Sequence, residues 1–186
     1  MIKFAKHTEK YSLEYRYKII RKEITFVLSK FHLVYDIKGL DKFINSPTKA
    51  LLISNHLSFF DPLFIIVNSE KPVSFVVKKE TYKMPFAGKI AEALEAFPLD
   101  RENIMAQLSE IRKIVDYLKD PSKPNVVIYI EGTRNRHPEN ACLDFHPGTL
   151  KIAQMAGVPL CVAATYGGFR PLSIHSYLKS YPCFFN

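Results

Sequence analysis

Lys49-Ala50-Leu51-Leu52-Ile53-Ser54-Asn55-His56-Leu57-Ser58-Phe59-Phe60-Asp61-Pro62 reads as a buried strand, a polar loop and the start of a helix. The apolar run Ala50–Ile53 lacks the alternation of a half-exposed strand, so it suits a strand covered on both faces. Asp61 before Pro62 is a favoured helix start, with the aspartate as cap and proline at the first helical position. Between them lies a loop holding Asn55, His56 and Ser58. A strand that turns into a helix within so few residues is the first unit of an α/β sandwich.

The same alternation continues outward. Val73–Val77 reads as a second strand, Ala87–Ala93 as a helix and Ala96–Leu99 as a short strand. Ile104, Leu108, Ile111, Val115 and Leu118 share one helical face, which ends at Asp120-Pro121. Val126–Ile130 is β-branched strand, Leu150–Ala156 is helix closed by Gly157, and Val158–Ala164 returns to strand. The expected architecture is α/β, with a mostly parallel or mixed sheet flanked by helices. No internal repeat or low-complexity linker divides it.

Residues 1–35 form a distinct N-terminal element. Eight basic side chains against three acidic ones give it +5 of the chain's total of +8. Leu13, Tyr17, Ile20, Ile24, Val27 and Phe31 fall on one face of a helix from about Ser12 to Phe31, with Ser12 as its cap. A basic amphipathic helix of this kind can lie on anionic lipid, or it can pack on the domain with a solvated basic face. The rest of the chain, 36–186, is then one domain, with a core of ordinary size for its length. Its last residues, Tyr181–Asn186, look like the start of another strand, so a C-terminally shortened domain is one expectation.

Composition excludes several classes. Hydrophobic residues at 47% and charged residues at 24% do not suit a disordered chain. Three widely spaced cysteines (Cys142, Cys161, Cys183) without a C-x-x-C pair argue against a zinc cluster and fit a reducing, cytoplasmic compartment. His137, Cys142 and His146 supply at most three ligands in one loop, so a metal hydrolase is a poor reading. The apolar runs are far shorter than the roughly 20 residues of a spanning helix. A basic nucleic-acid-binding module is disfavoured because most aromatics sit in apolar segments and no P-loop or RNP signature appears.

Three polar segments follow strands, at the places where such folds meet ligands. They are Asn55–Pro62, Asp100-Arg101 and Glu131-Gly132-Thr133-Arg134. The spacing of His56 and Asp61 allows the carboxylate to return to the imidazole, fixing the tautomer and leaving one nitrogen as a base. Asp61 also reads as a plain helix cap, and a lone histidine is most often structural. Gly132 permits close backbone approach, and Arg134 can fork onto a phosphate. The Glu131–Arg134 segment also reads as a polar turn whose ends pair with each other. Lys78, Arg101 and Arg134 together would suit an anionic substrate.

These blocks, in order, resemble the 1-acyl-sn-glycerol-3-phosphate acyltransferase family: Asn55-His56-x-Ser58-x-x-Asp61, Lys78-x-Glu80 with Pro85 and Gly88, Asp100-Arg101, Glu131-Gly132-Thr133-Arg134 and Val158-Pro159. Each block is common; the full order from about residue 35 to 165 is specific. The resemblance implies a glycerol-3-phosphate acyltransferase-like fold. It also implies transfer of an acyl group from acyl-CoA or acyl carrier protein to lysophosphatidate, forming phosphatidate. It makes His56 and Asp61 the catalytic pair, with Asn55, Ser58, Lys78, Arg101, Glu131, Gly132, Thr133 and Arg134 as substrate-binding residues. It calls for no metal or cofactor beyond the thioester co-substrate, and no nucleic acid. It places the protein peripherally on the cytoplasmic side of a membrane with anionic lipid. Glycerol-3-phosphate or a lyso-aminolipid as acceptor, or an inactive relative of the fold, are the alternatives. Ile130, Ala96 and Val162 depart from the family's usual proline, glycine and proline, and none of them is a chemical residue.

Overall fold

A computed structural model of the chain describes residues 10–31, 33, 35–135, 142–167 and 183–185. Helix α1 (Leu13–Ser29) leads to β1 (Tyr35–Ile37) and the short α2 (Leu40–Ile44). Strand β2 (Leu51–Ser54), helix α3 (Phe60–Asn68) and β3 (Val73–Lys78) follow. A 3-10 turn at Lys79–Lys83 precedes α4 (Ala87–Ala93), β4 (Phe97–Leu99) and α5 (Ile104–Lys119). The remainder is β5 (Asn125–Tyr129), α6 (Gly148–Ala156), β6 (Leu160–Ala163), β7 (Thr165–Tyr166) and β8 (Cys183–Phe185).

The main sheet runs β4-β3-β5-β2-β6 and every neighbour pair is parallel. Because side chains alternate along a strand, β2 and β5 feed two cores at once. Leu52 and Val127 face a cluster built with Tyr17, Ile24, Phe64 and Ala93 of α1, α3 and α4. Leu51, Ile53, Val126 and Ile128 face Ile114, Val115, Leu118 and Ile152 of α5 and α6. All four residues of β2 are buried, as its unbroken apolar run requires. A second, three-stranded sheet joins β1 to β8 in parallel and β8 to β7 antiparallel. The terminal segment that looked like a strand therefore forms one. The sequence reading did not anticipate β1, α2 or this small sheet.

Two helices turn out differently from their expected faces. In α5 the buried apolar residues are Ile114, Val115 and Leu118, beside a buried Glu110, while Ile104 and Leu108, expected on the core face, are exposed. In α1, Ser12 caps as expected, its Oγ accepting from the Tyr15 N–H at 3.3 Å. Its apolar stripe is not free to meet a bilayer. Tyr17, Ile20, Ile24 and Leu28 are buried against the domain, and Phe31 is left 50% exposed.

The α1 helix is also tied down by polar contacts. Tyr17 Oη donates to the Ile66 carbonyl at 3.3 Å and Arg21 Nε to the Val67 carbonyl at 3.0 Å. Both acceptors lie in the last turn of α3, where the Ile66 carbonyl also takes the Ser69 N–H at 3.4 Å. Arg16 is buried, donating to the Tyr11 carbonyl, to the Ala93 carbonyl and to Glu95 Oε1 at 2.6 Å. Two of the basic residues expected on a solvated or lipid-facing surface are thus part of the fold. Replacing Ile24 by serine is expected to cost about 3–4 kcal/mol, since a cavity and an unpartnered hydroxyl both result. Calorimetry should show the melting temperature falling by roughly 10 °C. An unchanged melting temperature with lost vesicle binding would place this stripe in lipid instead.

Candidate active site

In a parallel sheet, the loops that follow the strands gather at one edge. Here the loops after β2, β4 and β5 bring together His56, Arg101 and the segment Glu131–Asn135. The His56 Nδ1 lies 2.7 Å from Asp61 Oδ2. That same oxygen accepts the Leu57 and Ser58 backbone N–H groups at 2.7 and 2.9 Å, while Oδ1 accepts from Ser58 Oγ at 3.1 Å. Asp61 has no exposed surface at all. An oxygen surrounded by N–H donors is an acceptor, so His56 donates through Nδ1 and carries its free lone pair on Nε2.

Asp61 does not cap α3 as expected. The helix begins at Phe60, two residues before the expected Pro62, and the carboxylate sits within its first turn, reaching back along the loop. Negative charge is favourable there, near the amino ends of the helical N–H groups. The Ser58 hydroxyl, which also accepts from the Phe60 N–H at 3.1 Å, braces this turn. Capping and orienting are therefore combined: the carboxylate orders the loop and holds the imidazole.

The His56 backbone is clamped as well. Its N–H donates to Glu131 Oε1 at 3.1 Å, and its carbonyl accepts from the Asn135 N–H at 2.7 Å. Glu131 is buried, and its other oxygen accepts the Leu143 N–H at 3.3 Å. The carboxylate thus ties the β2–α3 loop to the β5–α6 connection rather than facing outward. Asn55 forms a reciprocal pair with Thr165, its Nδ2 donating to the carbonyl at 2.9 Å and its Oδ1 accepting the N–H at 2.6 Å. Three of the residues expected to bind substrate, Asn55, Ser58 and Glu131, have polar groups engaged within the protein.

The cationic residues are placed differently. Gly132 has φ +63°, and a β-carbon there would lie 1.5 Å from Arg101 Nη2. The arginine fork therefore rests on the bare α-carbon; a side chain here would displace the guanidinium and would be strained at this positive φ. Burial pushes the Arg101 guanidinium below its ordinary value, with Glu80 opposing the shift. Arg134 stacks its guanidinium 3.6 Å from the Phe59 ring centroid. Thr133 is exposed. Lys78 ends β3 and is exposed; it is Lys79 that pairs with Asp100, at 2.8 Å. Gly88 opens α4 against the Tyr82 carbonyl, where a β-carbon would come within 2.4 Å.

Sequence reasoning missed Tyr129, whose ring lies under His56 at 4.2 Å between centroids, and Asn135. Tyr129 reads as core because it ends an apolar strand; its phenol is the one polar signal. Asn135 acts through its backbone, which leaves no sequence trace. Among the described residues, no three His, Cys, Asp or Glu side chains are grouped to hold a metal. His137, one of the three weighed for a metal, lies outside the described residues. The arrangement can take a proton at Nε2, with Arg101 held over Gly132 and Arg134 over Phe59 on the surrounding loops.

The comparisons with known proteins agree on one family. The model of the family described as Acyltransferase matches residues 36–165. A probable 1-acyl-sn-glycerol-3-phosphate acyltransferase of Mycoplasma genitalium is 28% identical over 91% of the chain and 65% of its own length. The 1-acyl-sn-glycerol-3-phosphate acyltransferase of Pseudomonas aeruginosa is 30% identical over 74% of the chain and 51% of its length. A chloroplastic 1-acyl-sn-glycerol-3-phosphate acyltransferase of Arabidopsis thaliana is 27% identical over 66% and 33%. The chain thus spans a third to just under two thirds of the length of these three relatives. The crystal structure of the 1-acyl-sn-glycerophosphate acyltransferase PlsC from Thermotoga maritima shares the fold, with TM-score 0.72 at 21% identity over 93% of this chain and 67% of that one. With most of its length matched by the family model and its histidine–aspartate pair assembled at the sheet edge, the chain belongs to the acyltransferase family.

Proposed function

We propose that the protein transfers a fatty acyl group from a thioester, on CoA or acyl carrier protein, to the free hydroxyl of lysophosphatidate, forming phosphatidate. The observation that carries this reading is the His56–Asp61 pair, with a fully buried carboxylate behind an imidazole that is 18% exposed. Nε2 takes the hydroxyl proton as the oxygen attacks the thioester carbonyl. The C–S bond then breaks, and the proton passes from the imidazolium to the departing thiolate. Ester and free thiol are the products, so nothing is oxidised and no cofactor is consumed. Asp61 steadies the imidazolium through the 2.7 Å contact. Arg101 and Arg134 supply the cationic contacts for the acceptor phosphate.

The protein works at a membrane surface in this reading. No helix among the described residues is long and apolar enough to cross a membrane. The outer face of α1 offers Tyr15, Lys18, Lys22, Phe26 and Lys30, all exposed, which suits anionic headgroups. Attraction of this kind weakens as salt rises.

The test is mass spectrometry of lipids after incubation with lysophosphatidate and a mixture of acyl-CoAs, with monoacylglycerol as the uncharged comparison. Phosphatidate is the expected product. Arg101→Ala and Arg134→Ala should each raise the KM for lysophosphatidate roughly 10- to 100-fold, the range for a lost charge-assisted contact. Monoacylglycerol turnover should be unchanged. Equal losses on both acceptors would overturn the phosphate assignment, and acylation of glycerol-3-phosphate alone would overturn the acceptor.

A further inference from the structure

Tyr129 is the last residue of β5, the central strand of the main sheet, where it pairs with Ser54 of β2. Its ring is 20° from parallel with the His56 imidazole, at a centroid separation of 4.2 Å. The phenol oxygen is buried with no hydrogen-bond partner among the described residues. Burial raises its pKa well above the ordinary phenol value, and the Asp61 carboxylate adds to the shift. A phenol so enclosed keeps its proton and is shut off from solvent. What Tyr129 presents to the site is its face.

His56 needs that face. The Asp61 bond fixes one ring nitrogen, and Glu131 and Asn135 fix the backbone. A single hydrogen bond tolerates small changes of length and angle, so χ1 and χ2 keep some play, and Nε2, on the far side of the ring from Cβ, moves with it. A flat aromatic ring carried by a strand paired on both sides limits that play on one face of the imidazole. Contact between the two rings at this separation also favours the stacked orientation over a tilted or displaced one.

We propose that Tyr129 is a positioning residue whose ring face holds His56 Nε2 in line with the acceptor hydroxyl, while its own hydroxyl plays no part. This rests on the acyl-transfer reading above. It assigns the stacking surface to the aromatic ring, so phenylalanine should replace tyrosine and an aliphatic side chain should not.

The test compares Tyr129→Phe, Tyr129→Leu and His56→Ala, with lysophosphatidate and palmitoyl-CoA as probes. Tyr129→Phe should keep kcat within about twofold and melt no lower than the parent, since it removes only an unpartnered buried hydroxyl. Tyr129→Leu should lower kcat by about 10- to 100-fold with both KM values within about twofold, the scale of a misplaced reacting group. Tyr129→Met, which fills the space flexibly, stands in if the leucine variant does not fold. In parallel, nitrogen-15 spectra of the imidazole need no substrate. They should match the parent in Tyr129→Phe and show ring averaging in Tyr129→Leu. Parent-like kcat and spectra in the aliphatic variant would overturn the proposal, as would equal losses in the leucine and phenylalanine variants. Full turnover in His56→Ala would overturn the acyl-transfer reading itself, whereas its loss beside an unaffected Tyr129→Leu would overturn only the stacking role.

Discussion

Acyl transfer in His56→Ala is expected to fall by about 10²–10⁴-fold, the usual loss when a general base is removed. Neither nearby carboxylate among the described residues stands in for it at Nε2: Glu131 is held by the His56 and Leu143 N–H groups, and Asp61 is fully buried behind the ring. The fold should tolerate the change. Asp61 keeps the Leu57 and Ser58 N–H groups and the Ser58 hydroxyl, so its carboxylate is not left bare. The Glu131 and Asn135 contacts go to the His56 backbone, which alanine also has. Melting temperature should therefore move by only a few degrees, while steady-state turnover collapses. Near-normal turnover in this variant would remove the mechanism.

Asp61 should separate its two duties under substitution. In Asp61→Asn, the amide oxygen can take the place of Oδ2 and accept from His56 Nδ1, Leu57 and Ser58. The amide nitrogen then faces the Ser58 hydroxyl, which can accept. Loop geometry survives but the negative charge that steadies the imidazolium is lost, so kcat should fall roughly 10²-fold or more with little change in melting. Asp61→Ala instead strands two backbone N–H groups and a hydroxyl in a buried turn. At about 1–3 kcal/mol for each unsatisfied group, a loss on the order of 3–5 kcal/mol is expected. Calorimetry should then show a fall of roughly 10 °C or more. An asparagine variant that melts like the alanine variant while turning over normally would reduce Asp61 to a purely structural part.

Much of the fold was legible because strands and helices are local habits. The run Leu51–Ile53, the β-branched Val126–Ile128 and the Ile111–Leu118 face each declare their element from a few neighbours. The short β1 and α2 did not, since three- and five-residue elements carry too little periodicity to stand out. In the candidate site, the His56–Asp61 pair was legible because the loop residue and its partner in the first turn of α3 are only five positions apart. The Glu131 contact to the His56 backbone spans 75 positions and runs through a main-chain N–H, so no residue pattern announces it. Lys79, not Lys78, meets Asp100, because the side chain that crosses to β4 depends on where β3 gives way to its 3-10 turn.

Local pattern was enough to establish a strand–helix sandwich, polar blocks that follow its strands, and a histidine within reach of an aspartate five positions on. What the apolar stripe of α1 meets was settled by packing. A hydrophobic period records that one face of a helix avoids water; the same period serves a bilayer or a protein core. Here α3 and α4 lie within reach and bury Tyr17, Ile20, Ile24 and Leu28, and Tyr17 and Arg21 complete the hydrogen bonds at the end of α3. Tertiary packing likewise chose the ring beneath His56. Tyr129 and His56 come together because β5 and β2 are neighbours in register, and pairing across a sheet is a property of the folded chain rather than of either strand.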